Sequence, residues 1–551
     1  MEEYRLSARF RLDAGGRPLP NEAGPSIEQA GHYYRARDYP AAARLCDAIL
    51  ALRPDDFDAL HLRGVLLLEQ QQPADALDHL QRAARQRRDV AQLHFNIGNA
   101  LLALKQHGQA AAAFRRTLEL RPDDPDTLNN LGNALIGDAR YEESEACFRR
   151  ALALRPGTAK PLYNLGRALM WLDRLQEAAS CFRHALAAVG PDAEERRLID
   201  LYVNLSDVCV RQCHYEEALA ICRGVPPAIA DAPAIRWNES LTLLVLGDYA
   251  EGWRKYECRF LVPDHDPPRD GAVTLDLDAV AGKRVLVFPE QGRGDMIQFA
   301  RYLPMLAARG ATVLVEMYAD LIPLFARIDG VAQAGTPDDP APDHDLLTPL
   351  LSLPAAFGTT LESVPASVPY LSVPPRHLEQ WRAGLGPRLG PRLGPRLGPR
   401  VGIAWRGSEK SAPRSAVPLP ALAPLLAVPG IAFHCLHKDV SPEDRAWLAA
   451  NTAVTVHDAM LGDFADTAAL IAQLDLVISI DTAVAHLAGA LAKPVWLMLP
   501  FSPDWRWLRH REDSPWYPTA RLFRQRRRGD WDDVVRRVSA ALSADQSVIA
   551  S

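Results

Sequence analysis

No run of about 18 or more apolar residues occurs anywhere in the 551-residue sequence, so none of it reads as a membrane span. The basic excess typical of nucleic-acid binders is missing as well. The sequence holds 62 Lys and Arg against 68 Asp and Glu, a net charge of −6, and nucleic acid is set aside as a partner. The first residues, MEEYRLSARFRLD, alternate in charge and hold no apolar core, which argues against a secretory signal. None of the eight cysteines forms a CxxC pair. Cys209 and Cys213 lie one helical turn apart, but His214 is their only companion, and buried free thiols are the expectation. These absences point to the cytoplasm.

What the sequence does contain begins with a repeat. Gly64, Gly98, Gly132 and Gly166 are spaced 34 residues apart, as are Ala76, Ala110, Ser144 and Ala178, and again Leu80, Phe114, Phe148 and Phe182. Pro122 and Pro156 close two of the units. A period of this length, with small, aromatic and proline positions in this order, is the tetratricopeptide pattern: each unit is a helix pair that buries its faces against the next. The small residues let the two helices of a pair approach closely. After a loose segment 1–22, repeats are expected at about 23–56, 57–90, 91–124, 125–158 and 159–192, with two weaker helix pairs carrying the array to residue 260. Asn96, Asn130 and Asn164 recur at the sixth position, and Asn99 and Asn133 follow the first two by three residues, so the amides share a helix face. They read either as a polar stripe for a protein or peptide partner, or as asparagine that is merely common at that position.

Residues 261–283, rich in proline and aspartate, read as a linker, and the pattern then changes to alternating strands and helices. A Rossmann-like domain is expected over 284–384. It opens with the strand RVLVFPE, the turn QGRGD and a helix. Gly292 and Gly294 would permit a tight turn and the close approach of a ligand, while Asp295 is either a helix cap or a general base. Four copies of LGPR at 385–400 form a solvated linker, and a second such domain fills 401–551. There Arg406 and Lys438, together with Lys410 and Arg414, follow strands and are candidates to neutralise a diphosphate. Asp466 either caps a helix or reaches a ribose hydroxyl.

The segment Leu474 to Pro500 reads as strand, polar cap, helix and strand, one βαβ unit of a parallel sheet. In such sheets ligands sit beyond the carboxyl ends of the strands, where a helix N-terminus offers free N–H groups. Asp481 and Thr482 are placed to cap the helix from Ala483 to Leu491, and His486 is either a ligand contact or a core histidine. Trp505, Trp507 and Trp516 cluster after this unit, and core packing is favoured over a sugar or base pocket.

The string DTAVAHLAGAL resembles the donor-site motif of glycosyltransferase family 9, the heptosyltransferase-like enzymes, and strand plus GRGD plus helix resembles the start of that fold. The resemblance spans about 284–543. Together with the repeats, which give an α-solenoid, it implies a following two-domain GT-B fold, with Asp295 as the catalytic base. It also implies donor contacts at Gly292, Gly294, Arg406, Lys438, Asp466, Asp481, Thr482, Ala483 and His486. The donor would be a nucleotide sugar used as substrate, with no metal and no further cofactor. The asparagines at 96, 99, 130, 133 and 164 resemble the amide ladder of O-GlcNAc transferases, which grips an extended peptide. The expected activity is transfer of a sugar to a hydroxyl acceptor recruited by the helical array. The alternative is a non-catalytic scaffold carrying a degenerate nucleotide-sugar module.

Overall fold

The computed structural model describes residues 25–190, 193–262, 269, 271, 275–385, 398–407 and 416–544. Segment 1–22, nearly all of the LGPR linker, Lys410 and Arg414 therefore lie outside the described residues. The chain divides into two compact units, 1–208 and 209–551.

The first unit is built of antiparallel helix pairs. Ile27–Arg35 packs on Tyr39–Leu52, Phe57–Glu69 on Pro73–Gln86, Ala91–Ala103 on His107–Leu120, Pro125–Gly137 on Tyr141–Leu154, and Ala159–Trp171 on Leu175–Ala188. The 34-residue spacing has a direct cause. A Cβ on Gly98, Gly132 or Gly166 would come within 2.6 Å of the ring of Phe114, Phe148 or Phe182, so each ring lies against the bare backbone of its partner helix. Arg37, Gln71, Lys105, Ala139 and Asp173, again one repeat apart, each take a left-handed backbone where the first helix of a pair turns into the second.

The second unit begins with helical pairs and continues as two parallel sheets. The first sheet holds β1 (Arg284–Phe288), β2 (Thr312–Glu316), β3 (Val331–Gly335) and β4 (Leu346–Pro349), in the order β3-β2-β1-β4. The second holds β5 (Arg400–Ala404), β6 (Ala432–Cys435), β7 (Thr455–Val456), β8 (Leu476–Ser479), β9 (Val495–Leu499) and β10 (Ala520–Arg524), in the order β10-β9-β8-β5-β6-β7. Counted within its own sheet, each follows the nucleotide-binding order 3-2-1-4, which the second sheet extends to 3-2-1-4-5-6. The strands are covered on both faces, as parallel sheets require: Val285 and Val287 enter one core while Leu286 and Phe288 enter another.

The sequence ends the array at residue 260, whereas the compact units divide between Val208 and Cys209. The reason is apolar burial. Tyr249, Trp253 and Tyr256, on the helix Tyr249–Tyr256, join the core that holds Phe299, Trp505 and Trp516. Trp253 meets Trp505 edge to face at 5.1 Å and Phe299 at 5.6 Å, and Trp516 Nε1 donates to Tyr249 Oη at 3.1 Å. The tryptophan cluster is thus core. All eight cysteines are free, and no helix among the described residues is long and apolar enough to cross a membrane.

Candidate functional site

In each lobe the strand order reverses beside the first strand, between β1 and β4 and between β5 and β8, which is where ligands lodge in sheets of this kind. Glu290–Asp295 leaves the end of β1, and Asp481–Ala483 leaves the end of β8. These two turns meet. The helix Arg293–Phe299 packs against Ala483–Ala490, and a Cβ on Gly294 would lie 3.0 Å from His486 Cδ2 and 3.5 Å from the Ala483 Cα. The bare backbone at Gly294 therefore serves contact between the lobes. The left-handed residue of the turn is Gln291, with φ 59°, while Gly292 is extended.

Around this junction the polar groups are densely paired. Asp295 Oδ2 accepts from the Gly292 N–H at 2.9 Å, so it does hold the helix start, and its Oδ1 pairs with Arg506. Arg506 lies in the short turn Trp505–Trp507 after β9. It also donates to Asp504 at 2.8 Å and to Gln298 Oε1 at 2.7 Å. Burial works against its charge, but Asp504 and Asp295 outweigh burial and hold the guanidinium protonated above its ordinary range. His486 is 4% exposed; its Nδ1 lies 2.9 Å from Tyr517 Oη, its Nε2 3.5 Å from Asp481, and its ring stacks on Trp507 at 5.5 Å. Burial opposes charge on Asp481 too, yet the hydrogen bond and charge of His486 hold its carboxyl below the usual range. Thr482 is the N-cap residue, but its hydroxyl bonds Ser479 Oγ at 3.1 Å and makes no cap bond; the Ala485 N–H returns to the Thr482 carbonyl at 3.0 Å, which leaves the N–H groups of Ala483 and Val484 uncapped.

The other candidates gather elsewhere in the second lobe. Arg406 follows β5, donates to the Asp439 carbonyl and lies 3.4 Å from Asp444. Lys438 Nζ donates to Gly462 O at 2.6 Å, and Asp466 accepts from the Gly462 N–H at 3.0 Å and from Trp381 Nε1 at 3.3 Å. The cap of the helix Phe464–Ala472 is Asp463, which takes the N–H groups of Ala465 and Asp466. His377, Asp463 and Asp466 bring ligand atoms within 4.8 Å of one another, with both carboxylates already engaged in these bonds.

In the first unit the amides pair with one another across repeats. Asn130 donates to Asn99 at 2.9 Å, Asn164 to Asn129 at 2.9 Å, and Asn96 lies 3.0 Å from His61 Nε2. Asn96 and Asn164 are buried, and the Asn133 carbonyl oxygen is buried without a partner. A recess of about 50 Å³ beside Asn129 is lined by Asp126, Arg155, Thr158 and Lys160. Sequence reasoning missed Asn129 and Arg506. The first stands one residue off the periodic position. The second is a lone cation between two tryptophans, in WRW, and that flanking was its only signal.

The fold is that of a tetratricopeptide-repeat protein whose chain continues into two parallel-sheet α/β lobes. Models of the tetratricopeptide repeat match residues 27–87, 62–125 and 125–158. Protein FlbA of Caulobacter vibrioides (strain ATCC 19089 / CIP 103742 / CB 15) is 28% identical over 361 residues, covering 59% of this chain. The chain spans 58% of the length of that relative. Among solved structures, YrrB, a TPR protein with an unusual peptide-binding site, matches 30% of this chain and 85% of its own, at 22% identity and TM-score 0.28. PilF of Pseudomonas aeruginosa matches 36% and 88%, at 16% identity and TM-score 0.30. Likenesses this partial carry no functional argument.

Proposed function

We propose that the chain is a glycosyltransferase of GT-B architecture, which moves a sugar from a nucleotide-sugar donor to a hydroxyl acceptor recruited by the repeat array. The observation that carries this reading is the meeting of the two strand-end turns, GRGD from one lobe and DTA from the other, at 3.0 Å between a Gly294 Cβ position and His486. A transferase of two nucleotide-type lobes needs that juxtaposition, because the donor phosphates and the acceptor base must be presented to one reacting centre. In this reading the uncapped donors at Ala483 and Val484 receive the donor phosphate, and Asp481 and His486 set the turn that presents them. Asp295 takes the proton from the acceptor hydroxyl. It is 19% exposed, and its two bonds leave further lone pairs of the carboxylate open.

The acceptor is a protein or peptide segment, held on the amide face of the repeats at Asn99, Asn130 and Asn133 or beside the recess at Asn129. The cytoplasm is the proposed compartment.

The test is thermal unfolding with ADP-, GDP- and UDP-sugars, since a ligand that binds only the folded state raises Tm. A shift with one donor, followed by donor hydrolysis that falls in Asp295→Ala and Asp481→Ala, is expected. No shift with any donor sinks the transferase reading and leaves a binding scaffold.

A further inference from the structure

Resting on the transfer reading, we propose that Arg506 is the positioning residue that fixes the Asp295 carboxylate for the acceptor hydroxyl, reaching it from the opposite lobe. Asp295 stands on a seven-residue helix, and its own backbone supplies one restraint, the Gly292 N–H at 2.9 Å. A single hydrogen bond leaves the carboxylate free to swing about it. Arg506 supplies the second point, on the other oxygen. The guanidinium itself cannot swing. It is 9% exposed, its Nε is committed to Gln298, its Nη1 to Asp504, and its face lies 4.3 Å from the Trp505 ring. A planar fork held on three sides is a fixed reference for whatever it touches, a role a lysine ammonium fills poorly. Asp504 already neutralises Arg506 from within the same turn, and Gln298, on the same helix as Asp295, already ties it to the other lobe, so neither its charge nor its anchoring requires the contact with Asp295. The geometry instead spends one N–H on Asp295 and leaves the outward lone pairs of that carboxylate for a hydroxyl. Displacing a reacting group by about 1 Å costs on the order of 100-fold in rate, which sets the scale of the expected effect.

The experiment compares Arg506→Gln, Arg506→Lys and the wild-type full chain. The readouts are steady-state kinetics with the donor found by thermal shift, and amide hydrogen exchange at Gly292. That N–H belongs to an exposed residue and is shielded by Asp295, so its protection reports whether the carboxylate stays in place. In Arg506→Gln, kcat is expected to fall by about 100-fold with donor KM within about threefold, and the Gly292 protection to be lost. Arg506→Lys, which keeps the charge, is expected to recover part of both. Unchanged kcat, or a loss that follows only Tm and KM while Gly292 stays protected, overturns the proposal and leaves the transferase reading standing. A wild type that binds and turns over no donor removes that reading, and Arg506 with it.

Discussion

Gly132 has no room for a methyl group. A Cβ there would stand 2.5 Å from the Phe148 ring, closer than side-chain contacts allow, and the ring is fully buried. Alanine gains about 0.5–1 kcal/mol over glycine in a helix, but overpacking a buried contact costs about 1–3 kcal/mol. Gly132→Ala is therefore expected to lower stability by roughly 1–2 kcal/mol in urea unfolding of the array; an equal or higher midpoint would show that the ring moves freely. His437 makes a second prediction at this scale. Its Nε2 accepts the Trp405 N–H at 3.1 Å, which only a ring unprotonated at that nitrogen can do, and burial with the charge of Arg406 pushes its pKa down to about 3. The unfolded histidine titrates near pH 6.5, so the unfolded chain binds the extra proton first. Stability is full above that pH and declines as pH falls towards 3, by up to about 1.4 kcal/mol per unit from this group. His437→Gln keeps an acceptor that does not titrate. Tryptophan-fluorescence unfolding at pH 7, 6 and 5 is expected to give a flatter slope in that variant.

Among the elements, the joint between the last helical pair and the first sheet stands on a buried charge. Arg259 is 0% exposed and forks onto Glu290, just past β1, with both contacts at 2.7 Å, while Glu257, Ser352 and the Tyr256 carbonyl take its remaining donors. Removing Glu290 would leave Arg259 buried and half-paired, which typically costs about 3–5 kcal/mol. Glu290→Gln is expected to lose most of that, measured by urea unfolding of residues 209–551, and a loss under about 1 kcal/mol would show that Glu257 suffices. The elements also show what the sequence can carry. The unit expected over Leu474 to Pro500 appears as β8, the helix Ala483–Ala490 and β9, because β-branched runs, a polar break and small residues at helical spacing are all local signals. The repeat period was equally legible, since successive units each seat a large apolar side chain of the second helix on the glycine of the first. The Asp463 cap was not: two aspartates three apart are equivalent in sequence, and only φ/ψ decides which one leads. Nor was the Arg506–Asp295 pair, whose members lie 211 residues apart and meet only after both lobes have formed.

For the molecule as a whole, the question is where an independently folding body begins. Its second compact unit starts at Cys209, well before the first strand. The helix Tyr249–Tyr256 explains this: Trp253 is 1% exposed, with Trp505, Trp516 and Phe299 around its ring, and Trp505 adjoins Arg506 in the same short turn. A fragment starting at residue 257 would strip that face and expose rings that flank the candidate site. Truncating a buried tryptophan costs about 3–5 kcal/mol, a large part of the roughly 5–15 kcal/mol that stabilises a domain. The fragment 209–551 is expected to unfold cooperatively and stay monodisperse, whereas 257–551 aggregates, and Trp253→Ala in the longer fragment falls between them. Calorimetry and size-exclusion chromatography distinguish these outcomes. A cooperative, monodisperse 257–551 would mean that the helical pairs only cover the lobes. If instead Trp253→Ala weakens donor binding along with Tm, the same helices that close the core also hold the Trp505–Trp507 turn in register with Asp295.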